Sequence, residues 1–202
     1  MPASETSSRA PYDGDLRRAL IDAAVAVVAD EDPANLSLRA VARDLGVSHA
    51  APKNHFTDKT ALLTAIAIEG FERLAHELLV AIDEAASPLE ALATAGRSYV
   101  RFSVGHPGYF RVMWRNDLLD QGDQQLERSG ELALDALRQL VREAQATGWA
   151  TGRSATDLAV LAWAAVHGLA QLYLDGPLGA LVEADIDQLT ATTVELLTSR
   201  FG

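Results

Sequence analysis

The chain has 202 residues, 49% hydrophobic and 22% charged, which suits one ordinary globular unit or two small ones. It has no cysteine, which excludes disulfide scaffolds, thiolate zinc sites and cysteine nucleophiles. Seventeen basic residues against 28 acidic ones give a net charge of −11, which argues against a uniformly basic coat for nucleic acid or an anionic membrane. The charge is uneven. Residues 36–60 carry Arg39, Arg43, Lys53 and Lys59 against Asp44 and Asp58 alone, and both lysines of the chain fall there. That window suits an anionic partner. Met1 to Gly14 is polar and lacks an apolar signal region, so a cytoplasmic location is expected.

Strand-like alternation is nearly absent, and helical spacing recurs instead. Residues 1–13 read as a flexible tail whose only cation is Arg9. Leu16, Leu20, Ala23, Ala24, Val27 and Val28 predict a first helix over about 15–30, which Pro33 helps to stop. Leu38, Val41, Ala42 and Leu45 define a short second helix, ended by Gly46 in the left-handed position. Ser48 is placed to cap a third, from His49 to about Phe56. Thr57 or Asp58 caps a long fourth helix to about Ala85, with Leu62, Leu63, Ile66, Phe71, Leu74 and Leu78 as its apolar stripe. Further helices are predicted from Pro88 to about Gly105, Pro107 to Trp114, and over about 124–147, 155–174 and 185–199, with a turn at 176–179. The fold class is all-α, with about nine helices.

Residues 158–174 carry no formal charge. A membrane span needs ~20 mostly apolar residues, and His167, Gly168 and Gln171 shorten the apolar part. Burial in a core or between subunits is the expectation, with no membrane partner.

Residues 38–48 read as helix, glycine turn, cap and new helix, which is a helix-turn-helix. In such units the second helix enters the DNA major groove. His49, Ala50, Lys53 and Asn54 form its outward stripe, while Ala51, Pro52, His55 and Phe56 face back. Asparagine can bond adenine through two hydrogen bonds, and a small alanine accepts a thymine methyl. Lys59 opens the fourth helix, where the helix dipole disfavours a cation. A phosphate held by the helix amides and neutralised by the lysine suits it there; the alternative is an exposed lysine with a small penalty, and Arg39, Arg43 and Lys53 nearby favour the phosphate.

Over about residues 14–74 the chain resembles the TetR family of bacterial transcriptional regulators. Residues 36–43 (LSLRAVAR), Gly46-Val47-Ser48, His55-Phe56 and Asp58-Lys59 followed by Leu62-Leu63 fall at the family's spacings. Lys53 stands where family members commonly carry a tyrosine that touches DNA backbone. The resemblance implies a DNA-binding domain over 14–74 and an effector-binding and dimerisation domain over 75–202. It implies a homodimer that binds palindromic operator DNA through residues 37–56 and leaves it when a small molecule binds the C-terminal helices, most commonly as a repressor. The candidate DNA-contacting residues are Arg39, Ser48, His49, Ala50, Lys53, Asn54, His55 and Lys59.

Trp163 and His167-Gly168, together with residues 106–110 (HPGYF), look like the family's C-terminal subgroup with a Trp-His-Gly signature. Regulators of this class need an apolar cavity with few polar groups. Tyr99, Phe102, Phe110, Trp114, Trp163 and His167 are candidates for it, although such an aromatic cluster also suits a core. Ala164, Leu172, Leu189, Thr193 and Leu196 are candidates for the dimer interface. No metal-ligand spacing, phosphate-binding glycine loop or nucleophile elbow is present, so no cofactor and no catalysis are expected. The alternative is an all-α carrier or enzyme whose first domain makes protein contacts only.

Overall fold

The computed structural model describes residues 15–83, 85–178 and 185–199. The expected tail, residues 1–13, and part of the expected turn at 176–179 lie outside them. Among the described residues there are eight α-helices and no strand.

Helix α1, Leu16–Asp30, starts where the Asp15 carboxylate accepts the Arg18 backbone N–H at 2.9 Å, and buries Leu20, Ile21, Ala24 and Val28. A 3-10 turn, Pro33–Asn35, leads into α2, Leu38–Asp44. Gly46 ends α2 at φ +68°, with the Val47 N–H on the Ala42 carbonyl and the Gly46 N–H on the Arg43 carbonyl, both at 3.0 Å. These two bonds satisfy carbonyls that the helix end leaves open.

The expected third helix differs. Its regular part is a 3-10 turn, Ala51–Asn54, in which the amides of Ala51, Lys53 and His55 each bond three residues back. Pro52 has no amide to give to a four-residue ladder. Ser48 contributes its carbonyl to Ala51, and no side-chain cap bond opens the turn.

Helix α3, Lys59–Asp83, is capped by the Asp58 carboxylate, which accepts the Ala61 N–H at 2.9 Å. It runs unbroken across the boundary expected at residues 74 and 75. Leu62, Leu63 and Ile66 are wholly buried on it, each stabilising the fold by ~1.5–3 kcal/mol. The remaining helices are α4, Pro88–Gly105; α5, Pro107–Met113; α6, Gln124–Ala146; α7, Ala155–Leu174; and α8, Ile186–Ser199. Ser87, Asp123 and Ser154 cap α4, α6 and α7 through their side-chain oxygens.

One core joins both parts of the chain, from Leu20, Val41, Phe56 and Leu63 through Phe102 and Phe110 to Val166 and Val194. A second cluster, built on Leu92, Leu140, Val141, Trp149 and Leu158, closes the far end. Helix α5 lies against α1 so closely that a Cβ on Gly108 would stand 2.2 Å from the Val25 carbonyl oxygen. Beside it Glu69 receives Arg18 and Arg73, each at 2.6 Å, and the Tyr109 hydroxyl at 2.9 Å. Burial pushes the Glu69 carboxyl up, but these three donors together hold it below the usual range.

Helix α7 is long and apolar enough to cross a membrane by length and composition. Here it packs against α4, α6 and α8. The chain's own helices bury only Leu158, Ala159, Val166 and Ala170 of it. Val160, Leu161, Ala164, Leu172 and Tyr173 are exposed.

Candidate nucleic-acid interface and ligand cavity

Arg39, Ser48, His49, Ala50, Lys53, Asn54 and His55 are all exposed, while Pro52 and Phe56 beneath them are buried. Burial of the proline and the phenylalanine anchors the turn, and its polar residues point outward together. Arg17 adds a cation here that the sequence reading passed over, with its guanidinium 5.3 Å from the centre of the Phe56 ring. Its position in the first turn of α1 gave no sign of that neighbour, which lies 39 residues away. His55 departs from the expected inward orientation. It leaves the 3-10 turn at φ −117°, so α-helical spacing no longer describes it.

Lys59 is half-buried, and its Nζ donates to the Ala34 carbonyl at 2.7 Å. The 3-10 turn holding Ala34 is itself capped by Asp32, which accepts the Ala34 N–H at 2.8 Å. Asp32 also meets Arg115, from the segment after α5, at 2.6 Å. The Ala34 amide, and then Arg115, keep the Asp32 carboxyl below its ordinary range. The turn before α2 is thus tied both to α3 and to the C-terminal bundle.

A cavity of about 400 Å³ lies between α3, α4, α6, α7 and α8. Tyr99, Trp114 and Trp163 line it, as expected. Phe102, Phe110 and His167 do not. Leu92, Ala95, Gly96 and Tyr99 form the lining stripe of α4; Phe102 lies one turn beyond its end and is buried in the core with Phe110. His167 stands behind Tyr99, against the rings of Phe110, Trp114 and Trp163 at 5.3, 5.1 and 5.8 Å. Phe71, Leu74 and Leu78 of α3 and Leu137 and Leu140 of α6 complete much of the wall. The sequence reading missed them as lining. Gly130, Ala133 and Ala136, small residues on one face of an otherwise charged helix, were the available signal.

Three polar side chains form a chain at the wall. The Trp163 Nε1 donates to the Tyr99 hydroxyl at 3.3 Å, and that hydroxyl lies 2.8 Å from the His167 Nδ1. Indole nitrogen only donates, so the Tyr99 oxygen accepts from it while sharing one further hydrogen with His167 Nδ1. Burial pushes the His167 imidazole below its ordinary range and the Tyr99 phenol well above its own. Trp114 Nε1 is buried and has no partner among the described residues.

Residues 92–197 match the tetracyclin repressor-like C-terminal domain family, and residues 20–66 match the tetR family of bacterial regulatory proteins. No curated protein matches the chain in sequence. Among solved structures, a Rhodococcus sp. RHA1 protein of unknown function is 33% identical with a TM-score of 0.82, over 96% of this chain and 99% of that one. A tetR-family regulatory protein from Rhodococcus RHA1 has a TM-score of 0.78 at 16% identity, over 94% and 98%. FadR from Bacillus subtilis, solved with stearoyl-CoA, has a TM-score of 0.75 at 19% identity, over 91% and 98%. The exposed helix-turn-helix and the cavity-bearing bundle agree with both matched regions: this chain belongs to the tetR family of bacterial regulatory proteins and is a DNA-binding transcriptional regulator.

Proposed function

We propose that the chain acts as a homodimeric repressor that grips a palindromic operator and lets go when a small molecule fills the cavity. The observation that carries this reading is the exposed stripe of His49, Lys53 and Asn54, held over buried Pro52 and Phe56. Asn54 and His49 meet base edges, with Ala50 beside them for a thymine methyl. Arg39, Ser48, Lys53 and His55 meet the backbone. Lys59 joins them by exchanging the Ala34 carbonyl for a phosphate oxygen at the amino end of α3.

Dimerisation through α7 and α8 is supported by the apolar surface that the single chain leaves open. Ala164, Leu172 and Leu196 are exposed, and Leu189 and Thr193 are half-buried beside them. An uncovered apolar surface of this kind marks an interface. Control by a small molecule is supported by the cavity, whose volume falls in the ~300–1,000 Å³ range of small-molecule sites. FadR, which shares the fold, is solved with a ligand of its own, stearoyl-CoA, so the fold is compatible with effector binding, whatever the ligand class here.

The test is selection from a randomised duplex library at a stated salt concentration, since affinity falls steeply with salt. Enrichment of a palindrome with half-sites about one helical turn apart is expected. Recovery of no preferred sequence by the ligand-free protein would overturn the reading.

A further inference from the structure

We infer that the cavity takes a neutral, largely hydrocarbon ligand bearing at most one hydrogen-bonding oxygen, and not a carboxylate or a phosphate-bearing thioester. The inference rests on the effector reading above and specifies its ligand. Among the described residues no charged side chain lines the cavity. Even its exposed rim is apolar, with Leu79, Leu132 and Leu161 all more than half exposed.

The polar hydrogens of the wall are almost all engaged within the protein. Trp163 donates to Tyr99, the Tyr99 hydroxyl is bonded to His167 Nδ1, Trp149 donates to the Thr198 carbonyl at 2.7 Å, and the Thr198 hydroxyl to the Val194 carbonyl at 2.9 Å. Among the described residues Trp114 Nε1 is the one wall donor without a partner, and it is itself buried, so the wall offers a hydrogen to at most one ligand oxygen. An ionised group carried into such a wall would lose its hydration and gain no countercharge, so it is excluded on energetic grounds. The wider surroundings repel anions as well: residues 75–202 carry nine arginines against seventeen acidic residues.

The three tryptophans of the chain, Trp114, Trp149 and Trp163, all line the cavity. Intrinsic fluorescence of the full chain therefore reads occupancy without DNA. The probes are methyl octanoate, methyl decanoate and methyl dodecanoate, compared with decanoate and decanoyl-CoA. Affinity for the esters is expected to rise by about four-fold per added methylene until the cavity is full. Decanoate is expected to bind at least about ten-fold more weakly than its methyl ester, a factor worth ~1.4 kcal/mol, and decanoyl-CoA no more tightly than the ester. A Cβ added to Gly130, which lines the cavity, meets nothing within 4 Å. Gly130→Leu, inside α6, should not lower the melting temperature and should weaken ester binding about ten-fold or more, as lost burial of two or so methylenes requires.

A tighter complex with decanoyl-CoA than with the ester would overturn the inference, as would the absence of any ester response. Unchanged ester affinity in folded Gly130→Leu would place the ligand elsewhere and overturn it too. Ester binding that leaves operator affinity unchanged would sink the effector reading while sustaining the ligand class, so the two failures are separable.

Discussion

The Tyr99 hydroxyl sits between the Trp163 indole and the His167 imidazole, so a proton added at His167 has direct consequences. Burial holds the His167 imidazole below its ordinary value of 6.5. Above that pH both folded and unfolded chains carry it neutral. As pH falls through 6.5 the unfolded chain takes up a proton that the folded chain resists, so stability declines with acidification. His167→Gln should flatten this part of the stability–pH curve, read by urea melts between neutral and mildly acidic pH; an unaltered slope would count against the buried neutral imidazole. Glu69 acts in a lower window. Its carboxyl is held below the usual range, so its contribution is present above that range and lost as pH falls beneath it. At the proposed DNA face, Asn54→Ala should relax preference at one base pair by ~1–3 kcal/mol. Lys53→Ala should weaken all duplexes alike and lower the salt slope by ~1. Competition binding across a salt series separates the two outcomes.

Two glycines govern how the helices meet, for different reasons. Gly46 stands at φ +68° with open space around it, so Gly46→Ala should cost only the left-handed penalty of ~1–2 kcal/mol. Gly108 is closed by a neighbour's backbone, and Gly108→Ala would force α5 away from α1. Chemical denaturation should show a loss of ~1–3 kcal/mol or more for it, and a neutral result would contradict the close approach. The helices and their ends were legible in the sequence because their causes are local: apolar spacing on α1 and α3, Gly46 as a stop, Asp58 as a cap. The 3-10 character of Ala51–Asn54 was not. It depends on where Pro52 falls relative to a helix start that single-residue preferences do not fix. Nor was the division of aromatic residues legible. The sequence placed Tyr99, Phe102 and Phe110 in one cluster, but which of them faces a void depends on where five helices converge. The contacts of Lys59 with Ala34 and of Arg17 with Phe56 join residues 25 and 39 positions apart, beyond the reach of local pattern.

In the molecule as a whole, a strongly acidic chain presents one local positive window. If that window faces DNA, affinity should fall with salt at a logarithmic slope of about −0.9 for each phosphate neutralised. The apolar face of α7 and α8 leads to the prediction on assembly. Leu196 is 58% exposed and Leu172 48%, so Leu196→Arg or Ala164→Arg should yield monomers on size-exclusion chromatography and abolish tight operator binding. A dimer that persists in both variants would place the interface elsewhere. The unbroken 25 residues of α3 then set a geometric rule for such a dimer. Leu78 at the cavity lies nineteen residues from Lys59 beside the proposed DNA-reading turn, a span of ~28 Å at ~1.5 Å rise per residue. A stiff rod of that length turns a tilt of about 5° at one end into a displacement of about 2 Å at the other, by the same rise. Two-fold symmetry makes the two displacements equal and opposite, so the spacing between reading turns changes by twice that amount. Against a groove repeat of ~34 Å, such a dimer would behave as a calliper whose opening follows the tilt of α3.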